Sequence, residues 1–290
     1  MQIPPSDSIR CLGWAIAFLL PSVSLFADDS PNVHLLIFGN TRDKAISQSV
    51  SVDKNYVYTT FSGHFAEGEL VVGGSYQNQP PDGIESRDWI LEQVRTHSLD
   101  PQDTLVVYFS GLGGIDNCLG NHLMTASGPL LRHDLIAAMR SRGVRLAVLI
   151  TDGCTTRRHL VDTAASSVFF TEVTSPLFDS LYFQSEGFVD LSALSPDEVA
   201  MGDDDDGGYL TRTLCGFLRQ NHQQRLTWRD VKDDVQDRID LLFAELHPKG
   251  VRHSVDDDVL FTQTIAARLE VTPDPGADTH PLPTTDPERP

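Results

Sequence analysis

Positive charge is scarce in this chain. Its 290 residues hold 22 lysines and arginines against 41 aspartates and glutamates, a net charge of −19. No basic patch appears, which excludes nucleic acid as a partner, because phosphate backbones are held by clustered Lys and Arg. The acidity reads as a solvated surface, or alternatively as attraction for cations or basic peptides. Cysteine is sparse too. Of the four, Cys11 lies in the N-terminal apolar run, leaving Cys118, Cys154 and Cys215. Three thiols make no disulfide scaffold, and no Cys-x-x-Cys spacing offers a zinc or redox site. Long apolar runs are missing after the N-terminus, so no membrane span is expected there. No internal repeat is present.

What is there begins with an export signal. Arg10 precedes the apolar stretch Cys11 to Leu20, then Pro21, Ser22, Val23 and Ser24, with cleavage expected after Ala27, before Asp28 and Asp29. Residues 1–27 are therefore read as a signal peptide and the protein as exported, periplasmic or secreted, with no membrane contact after cleavage. An uncleaved anchor is the alternative. Residues 30–271 form the folded domain. Residues 272–290, rich in Pro, Thr and Asp, are read as a disordered tail.

Within the domain, apolar runs alternate with helical periods. Val33 to Phe38, Glu69 to Val72, Thr104 to Phe109, Leu146 to Ile150, Ser167 to Phe170 and Phe188 to Leu191 read as strands. Helices are expected around Ser47 to Phe61, around Trp89, Ile90, Val94 and Leu99 with Ser86 as cap, and over Arg132 to Arg140 with Gly143 as stop. A further helix, capped by Thr227, carries Trp228, Val231, Val235, Ile239, Leu242 and Phe243 on one face. Strand and helix in alternation imply a mostly parallel sheet covered on both faces. In such sheets chemistry gathers beyond the carboxyl ends of the strands. That rule selects two expected loops, Ser110 to Asp116 and Thr151 to Thr155.

Cys154 follows a buried strand and a glycine, Gly153. It is either a small buried apolar residue or a nucleophile aimed into the crevice, and a nucleophilic thiol needs a base to make thiolate. The surrounding residues resemble the caspase and metacaspase family. Val106-Val107-Tyr108-Phe109-Ser110-Gly111 is similar to the strand that ends there in Ser-Gly-His-Gly. Ala147 to Ile150, followed by Thr151-Asp152-Gly153-Cys154, resembles the nucleophile strand ending in Asp-x-Cys. Val189 to Ala193 with Gly207-Gly208-Tyr209-Leu210-Thr211 resembles the next strand and the start of its helix.

The resemblance implies a caspase-like three-layer α/β sandwich and a cysteine endopeptidase. It makes Cys154 the nucleophile, Gly113 a backbone donor to the oxyanion, and Asp152 a holder of a basic substrate side chain. Leu112 stands where the histidine belongs. Leucine cannot accept a proton, and general-base help contributes about 10² to 10⁴ in rate, so peptidase activity is expected to be impaired. The alternatives are a non-catalytic binding or regulatory module using the same crevice for a peptide or protein segment, and another acyl transfer using Cys154 with a different base.

His64, His122, His133 and His159 are candidate substitutes for the base, each with a structural reading beside it. Asp203, Asp204, Asp205 and Asp206, like Asp256, Asp257 and Asp258, read as a solvated acidic loop or as a calcium site, since metacaspases commonly use calcium. Otherwise no cofactor is implied. Cys118 and Cys154 are read either as free thiols or as a disulfide capping the nucleophile.

Overall fold

The apolar runs become the centre of one sheet in a computed structural model, which describes residues 30–77, 80, 84–116, 120–154, 156–157, 175–193, 195, 200–252, 259–260 and 263–273. The signal peptide, the strand expected at Ser167 to Phe170, Cys118, His159, Asp256 to Asp258 and residues 274–290 lie outside the described residues.

In chain order the elements are β1 (Val33–Gly39), α1 (Ser47–Ser62), β2 (Leu70–Gly74), α2 (Arg87–Thr96), β3 (Thr104–Asp116), β4 (Gly120–Thr125), β5 (Gly128–Leu131), α3 (Arg132–Arg140), β6 (Leu146–Cys154) and β7 (Thr156–Arg157). Then come α4 (Pro176–Phe178), continued by a π turn, β8 (Ser185–Ser192), β9 (Met201–Asp203), β10 (Gly207–Gly208), α5 (Tyr209–Gln220), α6 (Trp228–Leu246), β11 (Val251–Arg252), β12 (Val259–Leu260) and β13 (Ala266–Pro273).

The main sheet runs β13-β8-β6-β3-β1-β2, with β4 and β5 attached beyond β3. From β8 to β2 every pairing is parallel, and β13 closes the far edge antiparallel to β8. Alternation along each strand divides the core. Val33, Leu35, Ile37, Val106, Tyr108, Val148, Ile150 and Val189 pack with residues of α1, α4, α5 and α6 on one face. Leu36, Phe38, Leu105, Val107, Phe109, Ala147 and Leu149 pack with α2 and α3 on the other. Three layers, a mostly parallel sheet and helices on both faces are the architecture expected from the sequence.

Local chemistry starts the helices as read, although α2 stops at Thr96, so that Leu99, expected on it, lies beyond its end. Ser86 accepts a hydrogen bond from the Trp89 amide at 3.2 Å, and Thr227 forms a reciprocal capping box with Asp230. Gly143 takes φ +65° after α3, a backbone conformation that favours glycine.

Three expectations need correction. Ser110 to Gly114 is strand, not loop: β3 continues through it, paired with β6 as far as Leu112 and with β4 over Gly113 to Asp116. Glycines mark loops only where nothing pairs with them, and here two neighbouring strands supply the ladder. Likewise β6 extends through Thr151 to Cys154 because β3 runs alongside it. Third, Thr272 and Pro273 belong to β13, paired with Glu186 and Ser185, rather than to the tail.

Candidate active site

The sheet has its switch point between β1 and β3: from β1 the chain first adds β2 outside, then returns to place β3 and β6 on the other side. A crevice opens beyond the strand ends at such a point. The Asn40 amide donates to the Ser110 carbonyl at 3.1 Å, and the Asn40 side chain donates to the Met124 carbonyl at 3.1 Å. These bonds tie the end of β1 to β3 and to the β4 strand.

The two positions singled out by the sequence resemblance, Leu112 and Cys154, meet here. On adjacent parallel strands, Leu112 is the register partner of Cys154, one step beyond Gly111 and Gly153. Leu112 is half-buried. Gly113 is the next residue, and its backbone belongs to the β3–β4 ladder opposite Leu123.

Two residues before Cys154, Asp152 is fully buried. Its Oδ2 accepts from the Thr211 amide at 2.8 Å and the Thr211 hydroxyl at 2.7 Å. Because that hydroxyl is spent as a donor, the Tyr108 phenol donates to it in turn, at 2.7 Å. Asp152 Oδ1 is buried with no hydrogen-bond partner among the described residues.

A second carboxylate, Asp53 of α1, shares this pocket. Its Oδ2 accepts from Ser110 Oγ at 2.6 Å and its Oδ1 from the Gly208 amide at 2.8 Å. Burial first, and the Asp152 charge second, push the Asp53 carboxyl well above the usual carboxylate range. Burial pushes Asp152 up to about 6, against the bonds from Thr211. The Gly207-Gly208 pair is explained by these two acids. A Cβ on Gly207 would collide with the Asp53 carboxylate and one on Gly208 with that of Asp152, and Gly207 holds φ +79°. Asp53 was not singled out in the sequence. Its signal is a charge on the buried stripe of an amphipathic helix, among Ser49, Val50, Val57 and Phe61.

The remaining candidates sit elsewhere or are engaged. His64 follows α1, stacks on Phe178 with centroids 4.7 Å apart and bonds the Thr60 carbonyl through Nδ1 at 2.6 Å. His133 is exposed on α3 and pairs with Asp134 at 3.1 Å. His122 is different: on β4 it faces Gly114 in register, and its ring lies close enough that a Cβ on Gly114 would stand 3.1 Å from its Cε1. Cys215 is buried in α5, and burial pushes its thiol up to about 12, which leaves it un-ionised and unreactive at neutral pH.

The acidic tetrad is a turn. Asp203 Oδ1 accepts from the amides of Asp205 at 2.9 Å and Asp206 at 2.6 Å. Arg212 donates to Asp206 at 2.5 Å and Gln48 to Asp205 at 3.2 Å. Among the described residues, no group of three or more His, Cys, Asp or Glu is arranged to hold a metal ion. No helix among them is long and apolar enough to cross a membrane.

No protein-family model matches the chain, and no curated protein matches it. Among solved structures, it is similar to the crystal structure of caspase-1 from Spodoptera frugiperda, with a TM-score of 0.48 and 13% identity over 84% of this chain and 87% of that one. The likeness concerns the fold and carries no chemistry. The strand order and the two helical layers described above define a three-layer α/β sandwich with a mostly parallel sheet.

Proposed function

We propose that the chain is a caspase-type cysteine peptidase homologue that binds a peptide segment carrying a basic side chain and hydrolyses it poorly or not at all. The observation that carries the reading is the register pair Leu112–Cys154. A thiol nucleophile needs a base beside it, and the residue directly beside this one cannot take a proton. The peptide part of the reading rests on the acid pair. Asp53 and Asp152 lie together at the end of the crevice strands, and among the described residues no cation pairs with either and Asp152 Oδ1 has no partner. A guanidinium or ammonium reaching them would relieve both their repulsion and their burial cost. Such binding displaces protons from the raised carboxyls, so affinity for an Arg- or Lys-containing peptide rises with pH up to and beyond about 6.

The test is direct. Titration of fluorescent Arg-containing and Gln-containing peptides should show binding of the former only, and no turnover. Leu112→His should introduce turnover that Cys154→Ala removes. Equal affinity for both peptides would refute the binding reading. A second reading is favoured by one observation: the His122 ring rests on Gly114, two residues along β3 from Leu112 and on the same side by strand alternation. If His122 serves as the base, the unaltered protein cleaves basic peptides and His122→Ala abolishes cleavage.

A further inference from the structure

On the outer side of α5, away from the acid pair, three arginines and a tyrosine surround an open pocket of about 340 Å³ between α1, α5 and α6. No carboxylate lines it. In a chain with nearly twice as many acids as bases, arginines ordinarily find an acidic partner: Arg132 bonds Asp190, Arg140 bonds Glu270 and Arg212 bonds Asp206. Among the described residues, Arg219 and Arg238 have none. Arg219 donates to the neutral Tyr56 carbonyl at 3.2 Å and the Thr59 hydroxyl at 2.7 Å, and lies over the Tyr56 ring. Its Nε is buried with no acceptor among the described residues. Arg238 donates to the Gln220 side-chain oxygen at 2.7 Å and lies over the Phe217 ring. Arg219 and Arg238 thus bring two guanidiniums to one concavity with neutral oxygens and aromatic faces as their partners, while the third, Arg212, is paired with Asp206 at its edge.

The wall of the pocket includes Gly216, inside α5. Glycine in a helix interior costs about 1 kcal/mol relative to alanine. Packing does not require it here, because a Cβ on Gly216 would meet nothing within 4 Å. Its backbone φ is not positive either. The absence of a side chain serves to leave the pocket open.

We propose that this pocket is a binding site for a small molecule bearing a phosphate or pyrophosphate group. Paired guanidiniums match phosphate oxygens in a fork geometry that a point charge does not. The volume falls in the range of small-molecule sites, and Tyr56 and Leu242 offer apolar surface to the rest of the ligand. The occupant would bridge α1, α5 and α6, the helices that cover one face of the sheet. The site is separate from the peptidase reading, since none of Asp53, Leu112, Asp152, Cys154 and Thr211 is among its lining residues.

The experiment uses the purified protein with pyrophosphate and, separately, inorganic phosphate, followed by calorimetric titration and by melting temperature. Saturable binding is expected, with a melting temperature that climbs with ligand concentration as linkage requires. Arg238→Gln should weaken binding about tenfold or more, as for loss of a charged hydrogen bond. Gly216→Leu should abolish binding while melting no lower than the unaltered protein in the absence of ligand. That second variant separates occlusion of the pocket from misfolding. Tighter binding of pyrophosphate than of phosphate would assign the ligand a diphosphate group, and the reverse order a monophosphate. No saturable binding of either, equal binding by Gly216→Leu, or the whole effect reproduced by sodium chloride at matched ionic strength would each overturn the proposal.

Discussion

Thr151 and Asp152 are neighbours on β6, yet the buried charges reached from them are built on opposite plans. On the Thr151 side, Arg132 forks onto both oxygens of Asp190 and donates through Nε to the Thr151 hydroxyl at 3.0 Å. That pair is internally neutral and its bonds are satisfied. On the Asp152 side, two acids share a pocket, and among the described residues no cation pairs with them and an oxygen of Asp152 has no partner. A buried charge that serves only the fold is neutralised within the fold. Two like charges buried together cost stability, and the surrounding structure must sustain that cost. On the function proposed above, the second cluster is the one that meets a ligand, and the contrast with the first is what the following variants test.

Breaking the satisfied pair should have the largest effect. Asp190→Ala strands the Arg132 guanidinium in the interior and should cost about 3 to 5 kcal/mol, read as a lower midpoint in chemical denaturation. A loss under about 1 kcal/mol would show that the pair is not the anchor described.

A smaller effect is expected where the acids meet the glycine backbone. Gly208→Ala drives a methyl into the Asp152 carboxylate and should cost about 1 to 3 kcal/mol, the usual range for overpacking. Adding Asp152→Gly should recover much of it. A double-mutant cycle with no coupling would mean that the glycine serves some other constraint.

How much of this could be read beforehand differs between the two clusters. The strand cores were legible because parallel strands buried on both faces are near-continuous apolar runs, as in Leu105 to Phe109 and Leu146 to Ile150. Leu112 and Cys154 were legible as positions, and their pairing follows from two parallel strands that start in register, Thr104 opposite Leu146. Asp152 was legible from its place before the cysteine. Asp53 was not, because its partner lies about a hundred residues away and only the crossing of α1 over the sheet brings them together. The strand character of Gly111 to Gly114 was hidden by glycine, whose local preference was overridden by two flanking ladders. β13 was also missed, although Ala267, Leu269 and Val271 alternate with Arg268 and Glu270. An edge strand of that kind gives a weak, half-polar signal.

The smallest effect, and the one that separates the clusters by sign, comes from Asp152→Asn. Burial raises the Asp152 carboxyl from its usual 3.8 to about 6. Between those values the folded chain holds more protons at this site than the unfolded chain does. Its contribution to stability is therefore most favourable below about pH 4 and declines as pH rises through about 6. Asparagine can accept both Thr211 bonds and cannot ionise, so it removes that decline. It also places an amide donor where Oδ1 now lies, which offsets part of the gain. The expected net result is a variant more stable than the unaltered protein by about 1 to 2 kcal/mol at pH 8, with the advantage vanishing near pH 4. Denaturation midpoints measured across that range decide the matter. If Asp152→Asn is instead destabilising at pH 8 by as much as Asp190→Ala, Asp152 is a structural anchor like Asp190, and the distinction between the two clusters fails.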